Sequence, residues 1–217
     1  LWAFSLNARD TYEEMYWKYE YNRFFDSFEH YYSLYHHRNL ELWAEYADGK
    51  VTKEELNRQR YLYPLKAVGI CDSALAKAYE KDALAAIPTK SKLMPHAREV
   101  LEYLSSKYNL YILSNGFKEL QSHKMHSSGI DKYFKKIVLS DDIGVLKPWP
   151  EIFYFALSAT QSELKDSLMI GDSWENDIAG AAGVGMHQVF YNLSGRMDLP
   201  FMPTYQISDL KELLDLL

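Results

Sequence analysis

Two spacings of apolar positions divide this chain. From Ala8 to about Ala86 apolar and aromatic residues recur at helical intervals. Tyr12, Met15, Tyr16 and Tyr19 share one face of a first helix, and DSFEHYYSLYHHRNLELWAEYA continues the style in a second. Asp48-Gly49-Lys50 breaks the pattern, Thr52-x-x-Glu55 is a capping box for a third helix, and Asp72 or Ser73 can cap a fourth after Gly69. Ile87-Pro88-Thr89 closes the block. Beyond it, short apolar runs alternate with amphipathic stretches. A helix from Met94-Pro95 precedes the strand NLYILSNG, and the helix FKELQSHKMHSSGI precedes the strand KKIVLS. The helix EIFYFALSA, the strand SLMIGD, the helix WENDIAGAAGVG, the strands HQVFYN and TYQI, and a last helix capped by Ser208 follow. The expected fold is α/β, a doubly wound parallel sheet formed by residues 1–7 and 88–217, with an inserted α-helical bundle at 8–87.

A hydrophobic content of 47% is ample for a core. The formal charge of -6 argues against a nucleic-acid polymer as partner, because such binding needs clustered Lys and Arg. The single cysteine, Cys71, rules out an intramolecular disulfide and a Cys-rich zinc site, and reads as a small buried apolar residue. No apolar run is long enough to span a bilayer and no signal-peptide pattern opens the chain, so a cytoplasmic location without a membrane partner is expected. The aromatic stripes of the helical block read as its packing core.

The chemistry gathers at strand ends. Asp172 stands just past the run Leu168-Met169-Ile170, and Asp177 follows in the first turn of the next helix. Two acids at the carboxyl edge of a parallel sheet suit a hard divalent cation, Mg²⁺ above all, although a turn residue and a helix-start residue read the same way. Ser114-Asn115-Gly116 ends another strand, and its hydroxyl and N–H groups can hold a phosphate oxygen or simply make a turn. Lys147, before Pro148, would be held among Asp141, Asp142, Asp172 and Asp177 and could offset a phosphate dianion.

A hydroxy amino acid, then Lys-Pro, then Gly-Asp-Ser with a downstream Asp, each after its own apolar strand, resembles the haloacid dehalogenase-like hydrolase superfamily. The second, third and fourth motifs of that superfamily correspond to Leu113-Ser114-Asn115-Gly116, Lys147-Pro148 and Gly171-Asp172-Ser173-x-x-x-Asp177. Leu42-Trp43, Gly49-Lys50-x-Thr52 through Arg60-Tyr61, Ser140-Asp141-Asp142-x-Gly144, and Pro203-Thr204-Tyr205-x-Ile207 look like the pyrimidine 5'-nucleotidase branch, a group of helical-cap phosphatases. The resemblance implies that the helical block is the cap. The family's first motif, a strand ending Asp-x-Asp-x-Thr, is not among these residues. It is expected on about ten residues before Leu1, as a central strand between those ending at Ser114 and Asp172.

The resemblance further implies a Mg²⁺-dependent phosphomonoester hydrolase of nucleoside monophosphates, working through an aspartyl-phosphate on the first Asp of that upstream motif. Asp172 would ligate the metal and Asp177 would act from behind it. Ser114, Asn115 and Gly116 would bind the phosphoryl oxygens, and Lys147 would offset their charge. Arg60 and Trp43 are the cap residues expected to meet the leaving group, against the alternatives of an exposed arginine and a packed tryptophan. His123 and His126 are spaced like a metal pair but show no acidic or Cys partner nearby, which reads as surface. A dehalogenase or phosphomutase of the same fold, or a binding protein without catalysis, remain open alternatives.

Overall fold

Four helices account for the aromatic block: α1 (Phe4–Lys18), α2 (Phe28–Ala47), α3 (Lys53–Ala67) and α4 (Ser73–Ala86). Their starts follow local chemistry. Ser27 accepts the His30 N–H, Thr52 the Glu55 N–H and Asp72 the Leu75 N–H, each satisfying a helix donor that would otherwise lack a partner. In this computed structural model, which describes all 217 residues, they form one compact unit, Ala3–Lys92. The expected boundaries were residues 8 and 87. The unit is wider because α1 begins earlier and its two ends are tied: Asn7 Nδ2 donates to Lys92 O at 2.8 Å, and Lys92 N–H donates to Asn7 Oδ1 at 3.1 Å.

The core of this unit is made of rings. Tyr16, Tyr21, Tyr31, Tyr61 and Tyr79 are fully buried, Tyr21 stacks on Tyr79 at 4.8 Å, and Tyr12 lies 4.4 Å from Tyr35. Cys71 departs from expectation: it is exposed, because it falls in the break between α3 and α4 rather than on a packed helix face.

The second unit comprises Leu1–Trp2 and Leu93–Leu217. Helices α5 (Ala97–Lys107), α6 (Lys118–Ser127) and α7 (Pro150–Thr160) alternate with strands β1 (Leu110–Ser114), β2 (Phe134–Leu139) and β3 (Leu168–Gly171). A π-helical turn at Trp174–Ala179 leads into the short α8 (Gly180–Gly183), where one continuous helix was expected. Strands β4 (His187–Tyr191) and β5 (Tyr205–Ile207) and the helix α9 (Leu213–Leu216) complete it. The last helix is shorter than expected, and Asp209 rather than Ser208 caps the turn before it. Asp209 accepts the Lys211 N–H, while Glu212 turns back to accept the N–H groups of Ser208 and Asp209.

All strand pairs are parallel. β1 pairs with β2, and β3, β4 and β5 pair in that order, while β1 and β3 share no hydrogen bonds. Each therefore keeps one unpaired edge, and both are half-buried, whereas four of the five residues of β4 are buried. Around the strands lie apolar clusters, partly aliphatic and partly aromatic. Ala97, Val100 and Leu104, at i, i+3 and i+7 of α5, pack on Val189, Ile207 and Leu210. Ile152 and Phe153 of α7 pack on Ala181 and Val184. Each fully buried aliphatic side chain contributes about 1.5–3 kcal/mol.

Candidate active site

Crossover connections bring the carboxyl ends of β1 and β3 to the same edge, which is where parallel α/β sheets bind ligands. One side chain spans them. Lys147, in the loop before α7, is buried, and its ammonium donates to Leu113 O in β1 at 2.8 Å and to Asp177 Oδ1 in the π-helical turn at 2.6 Å. A buried ion pair of this length with a further carbonyl partner is a charge held in one place.

Each partner is itself held. Asp177 is buried, and its other oxygen accepts the Ser173 N–H at 3.1 Å. A β-carbon on Gly171 would lie 2.3 Å from Asp177 Cβ, so only glycine lets the strand pass this carboxylate. The lysine's backbone is clasped by Asn115, whose Oδ1 accepts the Lys147 N–H at 2.7 Å and whose Nδ2 donates to Lys147 O at 2.9 Å. The Asn115 side chain is thus a brace between the β1 loop and the Lys147 loop, a role its place in Ser-Asn-Gly did not signal.

Ser114 ends β1. Its Oγ accepts the Gly116 N–H at 3.0 Å and a Gln121 Nε2–H at 2.6 Å. The Gly116 N–H was expected to be free for a phosphate oxygen; here it is engaged by Ser114, because the tight turn folds it back onto the hydroxyl. Sequence reading missed Gln121, which looks like any early helix residue.

The structure places the acids unequally. Asp172, just past β3, is exposed and forms no hydrogen bond or ion pair, leaving both carboxylate oxygens available. Asp141 and Asp142 are engaged by the start of α6: Asp141 Oδ2 accepts the Lys118 N–H at 3.0 Å, and Asp142 Oδ1 lies 3.3 Å from Lys118 Nζ. Asp142 also accepts the Leu139 N–H at 3.0 Å. Lys147 is therefore set by Asp177 and Leu113 rather than by a ring of four acids. No three His, Cys, Asp or Glu side chains cluster as a ready metal cage. A hard cation with one protein carboxylate and otherwise water or substrate oxygens is still compatible, and Asp172 is the free oxygen donor that fits Mg²⁺.

In the helical unit, Arg60 is buried rather than exposed. Its Nη atoms donate to Asn57 Oδ1 at 2.5 Å and Asn39 Oδ1 at 3.4 Å, its guanidinium lies 5.0 Å from the Tyr61 ring, and Nε has no partner. Trp43 is half-buried and edge-on to Tyr46 at 5.8 Å. His126 does have an acidic partner, Asp131 at 3.0 Å, which the helical spacing could not reveal because Asp131 lies beyond the helix end.

Comparison with known proteins bears on the family and the fold. A family model described as haloacid dehalogenase-like hydrolase matches residues 5–185. The Bacillus subtilis protein YfnB, named as a HAD-hydrolase, is 31% identical over 182 residues, covering 82% of this chain and 76% of its own. The Escherichia coli pyrimidine 5'-nucleotidase YjjG is 31% identical over 181 residues, covering 82% and 79%. The crystal structure of magnesium-bound YfnB, which reveals interdomain movement in that protein, superposes with a TM-score of 0.87 at 25% identity, covering 99% of this chain and 92% of that one. An L-2-haloacid dehalogenase from Xanthobacter autotrophicus shares the fold at 16% identity, with a TM-score of 0.73 over 96% and 92% of the chains.

Proposed function

The chain belongs to the haloacid dehalogenase-like hydrolase family, and from that premise we propose that it is a Mg²⁺-dependent phosphomonoester hydrolase acting on nucleoside monophosphates. The observation that carries the reading is the Lys147 ammonium, buried and fixed between Leu113 at the end of β1 and Asp177 after β3. A phosphoryl group passing through its transition state spreads charge over its oxygens, and a cation fixed in advance stabilises that charge without reorganising.

Each residue then has a task. The Ser114 hydroxyl and the Asn115 backbone N–H donate to phosphoryl oxygens. Lys147 offsets their charge, and Asp177 keeps the ammonium aimed. Asp172 would hold Mg²⁺, which when bound supplies further positive charge toward the phosphate. The aspartyl nucleophile is assigned to a strand preceding Leu1, pairing with the free edges of β1 and β3; the unpaired N–H and C=O groups that such a strand would satisfy support that assignment. Selection of the leaving group is assigned to Arg60 and Trp43 of the helical unit. The nucleotide preference is supported by likeness to the pyrimidine 5'-nucleotidase relative.

The test is phosphate release by the protein from its complete reading frame, on nucleoside monophosphates, sugar phosphates and an aryl phosphate, with Mg²⁺ or with a chelator. Metal-dependent release, fastest with a nucleotide, is expected. Halide release from 2-chloropropionate, with no phosphate released from any ester, would replace this reading with the dehalogenase one.

A further inference from the structure

A serine hydroxyl carries one proton and two acceptor lone pairs, and left alone it rotates. At Ser114 both acceptor positions are filled, by the Gly116 N–H at 3.0 Å and by the Gln121 side-chain amide at 2.6 Å. Neither donor can accept a proton in return, so the Ser114 hydroxyl has only its proton left to offer. We propose that Gln121 is a positioning residue for the phosphate site: with the Gly116 N–H it locks the Ser114 hydroxyl so that its proton points to the substrate's phosphoryl oxygen. The proposal rests on the phosphatase reading.

The local structure is built around this contact. Gln121 lies in the first turn and a half of α6 (Lys118–Ser127), where its backbone N–H bonds to Phe117 O at 3.3 Å and its half-buried side chain runs back toward β1. A β-carbon on residue 116 would come within 1.8 Å of Gln121 Nε2, so the glycine of Ser114-Asn115-Gly116 makes room for the amide. A donor whose direction is set before substrate arrives contributes more than one that must first be turned, because the reorganisation is already done.

The test uses the protein from its complete reading frame, with p-nitrophenyl phosphate and Mg²⁺, and compares wild type, Q121A, Q121E, S114A and both double variants. Q121A is expected to lower kcat about 10-fold with KM within about twofold, and Q121E about 100-fold at pH 8. The ionised carboxylate that Q121E introduces can only accept, so it draws the Ser114 proton away from the phosphate and adds a negative charge. A protonated carboxyl can donate as the amide does, so the ratio of Q121E to wild-type kcat should climb as pH falls toward about 5. In the S114A background Q121A should lower kcat no further, since Gln121 acts through Ser114, and Q121E should lower it only by the part that its added charge contributes. A merely structural glutamine would give neither the pH-dependent ratio nor the loss of effect in S114A.

Q121E as active as wild type at pH 8 would mean that the hydroxyl donates into residue 121, and would overturn the proposal. A multiplicative loss in the S114A/Q121A double variant would overturn it too. A wild-type protein that releases no phosphate from any ester overturns the phosphatase reading and this inference with it; an active wild type with indifferent Gln121 variants overturns the inference alone.

Discussion

The two units bury polar groups in opposite ways. In the α/β unit the clusters around the strands mix aliphatic side chains with Phe153, Trp174 and Phe190, and two polar side chains near the strand ends are firmly partnered: Lys147 with Asp177 and Leu113 O, Asn115 with the Lys147 backbone. In the helical unit polar atoms are scattered through the core itself. Tyr12 and Tyr35 share a hydroxyl contact of 2.6 Å, Tyr79 donates to Tyr12 O at 3.0 Å, and the Tyr21 and Tyr61 hydroxyls have no partner. Each unit also buries a cation, but Lys147 faces a carboxylate and Arg60 faces two amide oxygens. The difference is between a fixed ion pair and a packed core of rings. A buried charge with a dedicated counter-charge is held in one direction, and tyrosine hydroxyls in a ring core come along with the ring area.

The largest expected effect is at the paired charge. D177A leaves the Lys147 ammonium buried without its counter-ion, which should cost about 3–5 kcal/mol in urea unfolding and about 10³-fold in kcat for phosphate release. A D177A protein as stable as wild type would break the comparison on the α/β side.

Alkaline pH should act on the other side. Burial, before any neighbour, holds the phenols of Tyr12, Tyr31 and Tyr79 well above their ordinary value near 10. Above that pH the unfolded chain releases protons that the folded chain keeps. The contribution is constant below about pH 10 and then falls by about 1.4 kcal/mol per pH unit for each such phenol. Hydrogen exchange followed from about pH 9 to about pH 12 should show 3–92 losing protection before 93–217. The reverse order would deny the tyrosine core its part in holding the helical unit.

The smallest effect is expected at Arg60. R60M removes a buried charge hydrogen-bonded to amide oxygens, and the half-buried Glu80 that feels it keeps Lys77 and Arg58 nearby, so unfolding should shift by less than about 1–2 kcal/mol, well short of D177A. If Arg60 selects the leaving group, KM for nucleotides rises while KM for the aryl phosphate does not. A loss of stability equal to that of D177A would erase the distinction between the two cations.

The order of elements was legible because it is written locally. Thr52 and Asp72 cap their helices from three residues away, and the apolar runs before Ser114 and Asp172 become strands because a short unbroken apolar run ended by turn residues suits a strand inside an α/β sheet. The same short range misled at the C-terminus, where Ser208 and Asp209 are both good caps and only the return of Glu212 decides between them. Cys71 was misread because a break residue carries no periodicity to say which way it faces.

What the sequence determined by itself is therefore the α/β alternation with its helical insert and the residue types waiting at the strand ends. Which atoms meet was decided only by the tertiary structure. Lys147 takes Asp177 from thirty positions away, Asn115 clasps a loop thirty-two positions on, and Gln121 reaches back to Ser114 because Gly116 leaves it room. Helix and strand formation depend on neighbours within about four residues, whereas a hydrogen bond depends on tenths of an ångström between elements that only the folded chain brings together.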